Sequence, residues 1–125
     1  MKRDMELTRK ILFNLEGEFM PGVQDIWVLR IDGYDMETIA EHCDLLYQKG
    51  FVKSYKAEYA GKKMLHFSVG NITSNGYDYL ELIRNEAVWS KTKQEIEEKE
   101  LPRTFEAIAK IAGVFLGNII KELNN

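Results

Sequence analysis

Few residues of this 125-residue chain are of a kind and spacing that could do chemistry: a single cysteine, Cys43, and two histidines, His42 and His66. Structural and catalytic zinc sites draw three or four ligands from clustered Cys, His and carboxylate residues. Here the two histidines lie in different elements, so a metal would rest on carboxylates, and surface or wing roles are expected for both. Cys43 falls on the apolar stripe of a helix, where a free thiol behaves as a small apolar residue. Neither a glycine-rich phosphate loop nor a nucleophile beside a base is found, and Gly61-Lys62-Lys63 reads as a turn. The expectation is a non-catalytic chain with no metal and no cofactor. What remains is charge. Between Phe51 and Gly70 stand Lys53, Lys56, Lys62 and Lys63 against Glu58, whereas Asp35 to Lys49 carries Asp35, Glu37, Glu41 and Asp44 against Lys49. Ammonium groups suit phosphate; carboxylates repel it.

The elements that position these charges are legible. Asp35 can cap a helix whose apolar stripe is Ile39, Cys43, Leu46 and Tyr47, with Met36 and Ala40 at its edges, and Gly50 can close it in the left-handed conformation. Phe51 and Val52 are expected to open a strand. Tyr55, Ala57 and Tyr59 then alternate with Ser54, Lys56 and Glu58, Gly61 sits in the turn, and Leu65, Phe67 and Val69 alternate with Met64, His66 and Ser68. A helix, a glycine stop and a hairpin predict an α+β winged-helix fold. Upstream, residues 2 to 16 form a first helix ended by Gly17, with Leu7, Ile11, Leu12 and Leu15 on one face, and Phe13 covered by another element. Ile26 to Ile31 is a short strand able to pair with the base of the wing. The positioning helix of a helix-turn-helix has no room here, so the first half of that motif is shortened or missing.

Beyond the wing, Thr73 caps a helix bearing Tyr77, Leu80, Ile83 and Ala87, and Gly76 in its first turn permits close packing. At Asn85 there is either a kink or a new start. Leu101-Pro102 breaks the chain before a last helix, Thr104 to Leu123, whose apolar residues cover well over half its circumference. Ala109, Gly113 and Gly117 recur every fourth residue on it. Such a row lets helix backbones approach closely, and with Phe115, Ile119 and Ile120 it is expected to form a homodimer interface, the alternative being a helix wrapped within its own chain by the first helix and Phe13. Residues 1 to 125 are expected to make one domain, with 73 to 125 as its helical extension. The net charge of −3 gives no bulk attraction to nucleic acid, the start lacks an apolar leader, and no stretch reaches the ~20 apolar residues a membrane span needs. A cytoplasmic protein is expected.

The Met1-Lys2-Arg3-Asp4-Met5 opening, the Ile39 to Leu46 helix ending at Gly50-Phe51-Val52, the Ile72-Thr73-Ser74-Asn75-Gly76-Tyr77 joint and Ile83 to Trp89 together resemble an uncharacterised bacterial and prophage family carrying a domain of unknown function. The resemblance runs from Met1 to about Lys99. It implies a winged-helix-like fold and an association with mobile elements, but no functional residues. The Ile72-Thr73-x-x-Gly76 joint is also similar to the Leu-Thr-x-x-Gly joint of many winged-helix regulators. Two readings follow. In the first, the chain is an accessory or regulatory protein whose weak contact with duplex DNA, if made, runs through Lys53, Lys56, Lys62 and Lys63, because a helix without Arg or Asn on its outer face has little with which to read bases. In the second, the acidic helix 35 to 49 and the C-terminal helix bind protein partners and DNA is not involved.

Overall fold

The computed structural model describes residues 1–124. Element order is α1 (Met5–Glu18), β1 (Asp25–Trp27), α2 (Met36–Gln48), β2 (Tyr55–Ala60), β3 (Lys63–Gly70), α3 (Ser74–Ile83), α4 (Glu86–Glu98) and α5 (Phe105–Leu123), an α+β arrangement of five helices and one sheet among the described residues. The chain forms two compact units, Met1–Tyr77 and Asp78–Asn125.

In the first unit the sheet is antiparallel with β3 in the centre, in the order β1-β3-β2. As expected, the upstream strand pairs with the base of the hairpin, Asp25 opposite Gly70, Ile26 opposite Val69 and Trp27 opposite Ser68. It is shorter than Ile26 to Ile31, however, because Val28 takes φ 52° and turns the chain out of the ladder. Left-handed backbone in a β-branched residue costs on the order of 1–3 kcal/mol. The inner sheet face, with Phe67 and Val69 fully buried, lies against α2, and α2 in turn packs on α1. Leu7, Ile11, Leu12 and Leu15 of α1 and Ile39, Ala40, Cys43 and Leu46 of α2 fill this core, each large aliphatic chain contributing about 1.5–3 kcal/mol by leaving water.

Asp4 ties α1 to α2. Its carboxylate accepts from the Leu7 N–H (3.0 Å) as the N-cap and from the Tyr34 hydroxyl (3.1 Å), while its own N–H donates to His42 Nε2 (2.9 Å). Because Nε2 accepts, Nδ1 carries the proton and donates to the Thr38 carbonyl at 2.7 Å. His42 is therefore a buried, doubly bonded residue at 1% exposure and not the surface group the sequence suggested. Tyr47 departs the other way. It is 46% exposed, outside the core stripe. Gly17 does not end α1 but lies inside it, since Phe19, the C-cap residue, still donates to the Leu15 carbonyl. Phe13 is half-buried beneath the Arg9 guanidinium, 4.7 Å from its ring centroid.

Helix α2 ends as its sequence requires. Gly50 has φ 79°, its N–H donates to the Tyr47 carbonyl (2.9 Å), and the Phe51 N–H reaches back to Leu46 (2.8 Å), the paired bonds that close a helix around a left-handed residue. Phe51 and Val52 do not begin the hairpin strand. Val52 makes an isolated bridge to Ile72, and β2 starts at Tyr55. The same crossing brings in the start of α3: the Thr73 N–H donates to Phe51, its hydroxyl donates to the Gly50 carbonyl (2.5 Å) and accepts from the Gly76 N–H (3.1 Å). Thr73 is thus both the expected cap and a clamp on the preceding helix. Gly76 sits where a Cβ would overlap the Phe51 carbonyl oxygen.

One register change has no counterpart in the sequence pattern. A bulge between Glu58 and Tyr59 pairs Glu58 with His66 but Tyr59 with Met64, so Leu65 is the extra residue. Beyond it the alternation inverts. Met64 is buried at 4% exposure and Leu65 lies outside at 51%, the reverse of the simple alternation.

The second unit contains an α4–α5 pair packed through Val88, Trp89, Thr92 and Ile96 of α4 and Phe105, Ile108 and Ala112 of α5, all buried. Asn85 caps α4 by accepting from Val88 N–H (3.0 Å), so the chain restarts there and does not merely kink; Ala87, expected on the apolar stripe, is exposed. Tyr79 of α3 stands edge-on to Phe105 at 5.3 Å.

The Gly76→Ala variant is expected to lose about 1–3 kcal/mol of stability in urea unfolding, because the clashing atom is backbone and does not yield. Unchanged stability would show that this helix start has room to shift.

Burial also fixes an alkaline limit. Desolvation, then the charge of Asp44, pushes the Cys43 thiol up from 9.0 to about 12, and desolvation, then Tyr59, pushes the Tyr55 phenol up from 10.0 to about 12. The folded chain holds both protons where the unfolded chain releases them, so this stability is whole below pH 9 and is lost as pH rises toward 12. Urea midpoints should fall through that window, and Cys43→Ala should remove the part that sets in first.

Candidate functional site

The outer face of the sheet carries a cleft of about 530 Å3 lined by Val23, Gln24, Asp25, Trp27, Lys53, Ser54, Lys56, Ser68 and Asn71. Its shape follows from the strands. Period-two alternation sends Ile26, Tyr55 and Val69 inward, and so sends Trp27, Lys56 and Ser68 to the opposite face. The Lys53 N–H donates to the Asn71 carbonyl (2.8 Å) and the Gly70 N–H to Ser54 (2.9 Å), which carries residues 53 and 54 alongside the end of β3. This approach needs Gly70. A Cβ there would overlap the Ser54 hydroxyl and lie 2.9 Å from its backbone nitrogen. Ser54 in turn donates to Asp25 Oδ1 at 2.7 Å, joining the two edges of the cleft.

Trp27 is 59% exposed, unusual for so large an apolar side chain. It is held from one side. The His66 ring meets it edge to face at 5.2 Å and 62°, and His66 Nε2 lies 3.1 Å from Glu58. Two ammonium groups and one exposed indole therefore border a single depression whose own carboxylate, Asp25, is engaged by Ser54. Such a surface offers charge attraction and ring stacking.

The four lysines named from the sequence divide into two pairs. Lys53 and Lys56 line the cleft, while Lys62 and Lys63 stand exposed at the hairpin turn, next to Leu65 on its bulge. The acidic helix keeps Glu37 and Glu41 exposed and Asp44 half-buried, and Asp35 is spent as a cap, with Thr38 N–H at 2.7 Å holding its carboxyl below the usual range. Of the C-terminal row, Ala109, Gly113, Phe115 and Ile119 are half-buried and Gly117 and Ile120 exposed. A Cβ at Gly113 or Gly117 would meet nothing within 4 Å. Cys43 is fully buried, and desolvation raises its thiol, which disfavours the reactive thiolate. Among the described residues no group of three or more His, Cys, Asp or Glu could hold a metal ion, and no helix is long and apolar enough to cross a membrane.

Sequence reasoning missed Trp27. The signal was present in Ile26-Trp27, where one residue facing the core obliges the next to face away, but the strand's inner face cannot be chosen until its partner is known. Ser54, Asn71 and Asp25 had no signal, since their meeting depends on the crossing at Gly70.

Residues 2–102 match the model of a family described as "Hypothetical protein (DUF2513)". The chain is also 28% identical over 126 residues to an "Uncharacterized protein" of Haemophilus influenzae (strain ATCC 51907 / DSM 11121 / KW20 / Rd), covering 96% of this chain and 99% of that one. No solved structure matches the chain.

Proposed function

We propose that this chain, which belongs to the DUF2513 family, is a non-catalytic accessory or regulatory protein of winged-helix type, associated with mobile elements and cytoplasmic, whose DNA contact runs through the β2–β3 wing. The observation that carries this is the segregation of charge within the first unit. Lys53 and Lys56 share one cleft and Lys62 and Lys63 crown the adjoining turn, whereas the solvent side of α2, the helix that enters the major groove in most winged helices, presents Glu37 and Glu41. A wing with lysines and no base-reading helix binds backbone and not sequence. Replacing Lys56, Lys62 and Lys63 together by Ala should weaken duplex binding evenly across sequences and flatten the slope of log K against log salt by about 0.9 for each phosphate left without its ammonium partner. Equal binding by the triple variant, or sequence-dependent loss on altering Glu37 and Glu41, overturns the assignment.

A second reading concerns self-association. The row Ala109, Gly113, Gly117 stands unfilled at its two glycines, and Val114, Ile120 and Leu123 on the same helix are 61%, 52% and 79% exposed. We infer that α5 meets α5 of a second copy, the same patch facing itself as a two-fold interface requires. Light scattering at micromolar concentration should give a dimer, and Gly113→Leu should return it to monomer. A monomeric parent protein removes this reading.

A further inference from the structure

The geometry points to the outer-face cleft as a binding site for an unpaired nucleotide of a nucleic-acid strand, its base stacked on Trp27 and its phosphates held by Lys53 and Lys56. This deepens the wing reading, on which it rests, by replacing a generic phosphate contact with a defined pocket.

Three features of the cleft select this ligand. First, an indole 59% exposed at the edge of a sheet gains nothing for the fold from its open surface, and the His66 edge contact at 5.2 Å, with His66 tied to Glu58 at 3.1 Å, holds the ring in one orientation. A fixed exposed aromatic is what stacking of a base demands, since every base has a π-face. Second, the strain accepted at Val28, the residue that follows Trp27, ends β1 there and leaves the indole at the strand's end instead of midway along a longer ladder. Third, Lys53 and Lys56 line the same depression as Trp27, whose volume of about 530 Å3 falls within the roughly 300–1,000 Å3 of small-molecule clefts. The one carboxylate there, Asp25, is bonded by Ser54 at 2.7 Å, and Asn71, whose Oδ1 accepts from the Ile72 N–H at 2.8 Å, keeps its amide NH2 as a donor to a base edge.

Paired bases cannot reach such a site, because both faces of an internal base pair are already stacked. A strand without partners can. A free nucleotide offers the same base and phosphate, and separating it from a strand is left to the measurement.

The test compares a labelled oligothymidylate, a duplex of the same length and thymidine monophosphate on the full chain, with Trp27→Ala, Trp27→Phe and a Lys53→Ala/Lys56→Ala pair, melting curves confirming that each variant is folded. Expected are tighter binding of the oligothymidylate than of the duplex, a loss of about fivefold to hundredfold with Trp27→Ala, the range that stacking of one base implies, and recovery of most of it in Trp27→Phe. Weaker binding by the lysine pair should come with a shallower salt slope. Duplex binding should ignore Trp27. Oligothymidylate binding indifferent to Trp27→Ala overturns the inference while leaving the wing reading standing if the lysine variants still lose duplex affinity. Monophosphate bound as tightly as the oligothymidylate overturns the strand as ligand, and no binding of any probe overturns both readings.

Discussion

The first unit depends on the crossing of Gly50-Phe51 with Ile72 to Gly76. At this point the end of one helix, the start of another and the base of the hairpin compete for the same few backbone groups, and each finds a partner: Phe51 N–H on Leu46, Phe51 carbonyl from Thr73 N–H, and the exposed Gly50 carbonyl from the Thr73 hydroxyl. Left unpaired, the buried Phe51 groups would each cost about 1–3 kcal/mol. The constraint is steric as well, since α3 begins so close to Phe51 that only hydrogen fits at position 76. Because Val52 bridges Ile72 just beyond, the two ends of the hairpin leave the crossing side by side.

From that anchor the sheet's two faces acquire different work. The inner face buries Phe67, Val69 and, past the bulge, Met64, closing the core over α2. The outer face gathers what the core rejects, Trp27, His66, Lys56 and Glu58, and the tight passage of Ser54 over Gly70 brings Trp27 and Lys56 to the border of a cleft. The bulge moves Leu65 outward beside Lys62 and Lys63. A hairpin tip that combines an exposed aliphatic side chain with two ammonium groups differs from a purely basic one, since the first adds apolar contact to whatever the charges attract.

Charge in this unit is organised by element more than by amount. The chain is net acidic, at −3, yet carboxylates cluster on α2 and lysines on the hairpin. Screening over about 8–10 Å at ordinary salt makes such local fields, and not the sum, what an approaching anion meets.

Local signals within one or two turns of chain were sufficient for much of this. Asp4, Asp35, Thr73 and Thr104 cap where a short oxygen side chain precedes an apolar-periodic run, and Gly50 stops α2 as its left-handed φ allows. The order of helices and strands, the pairing of the upstream strand with the base of the hairpin and the burial of Cys43 were equally legible, because apolar periodicity of 3.6 or 2 is imposed by the core itself. Tertiary structure alone decided the rest. A bulge inverts which of Met64 and Leu65 is inside, Val28 ends a strand that composition would extend to Ile31, His42 is drawn inward by the N–H of Asp4, and Ser54, Asp25 and Trp27 become one cleft. Each of these depends on a residue distant in the chain or on a pairing register, and a single sequence carries no signal for either until the elements have met.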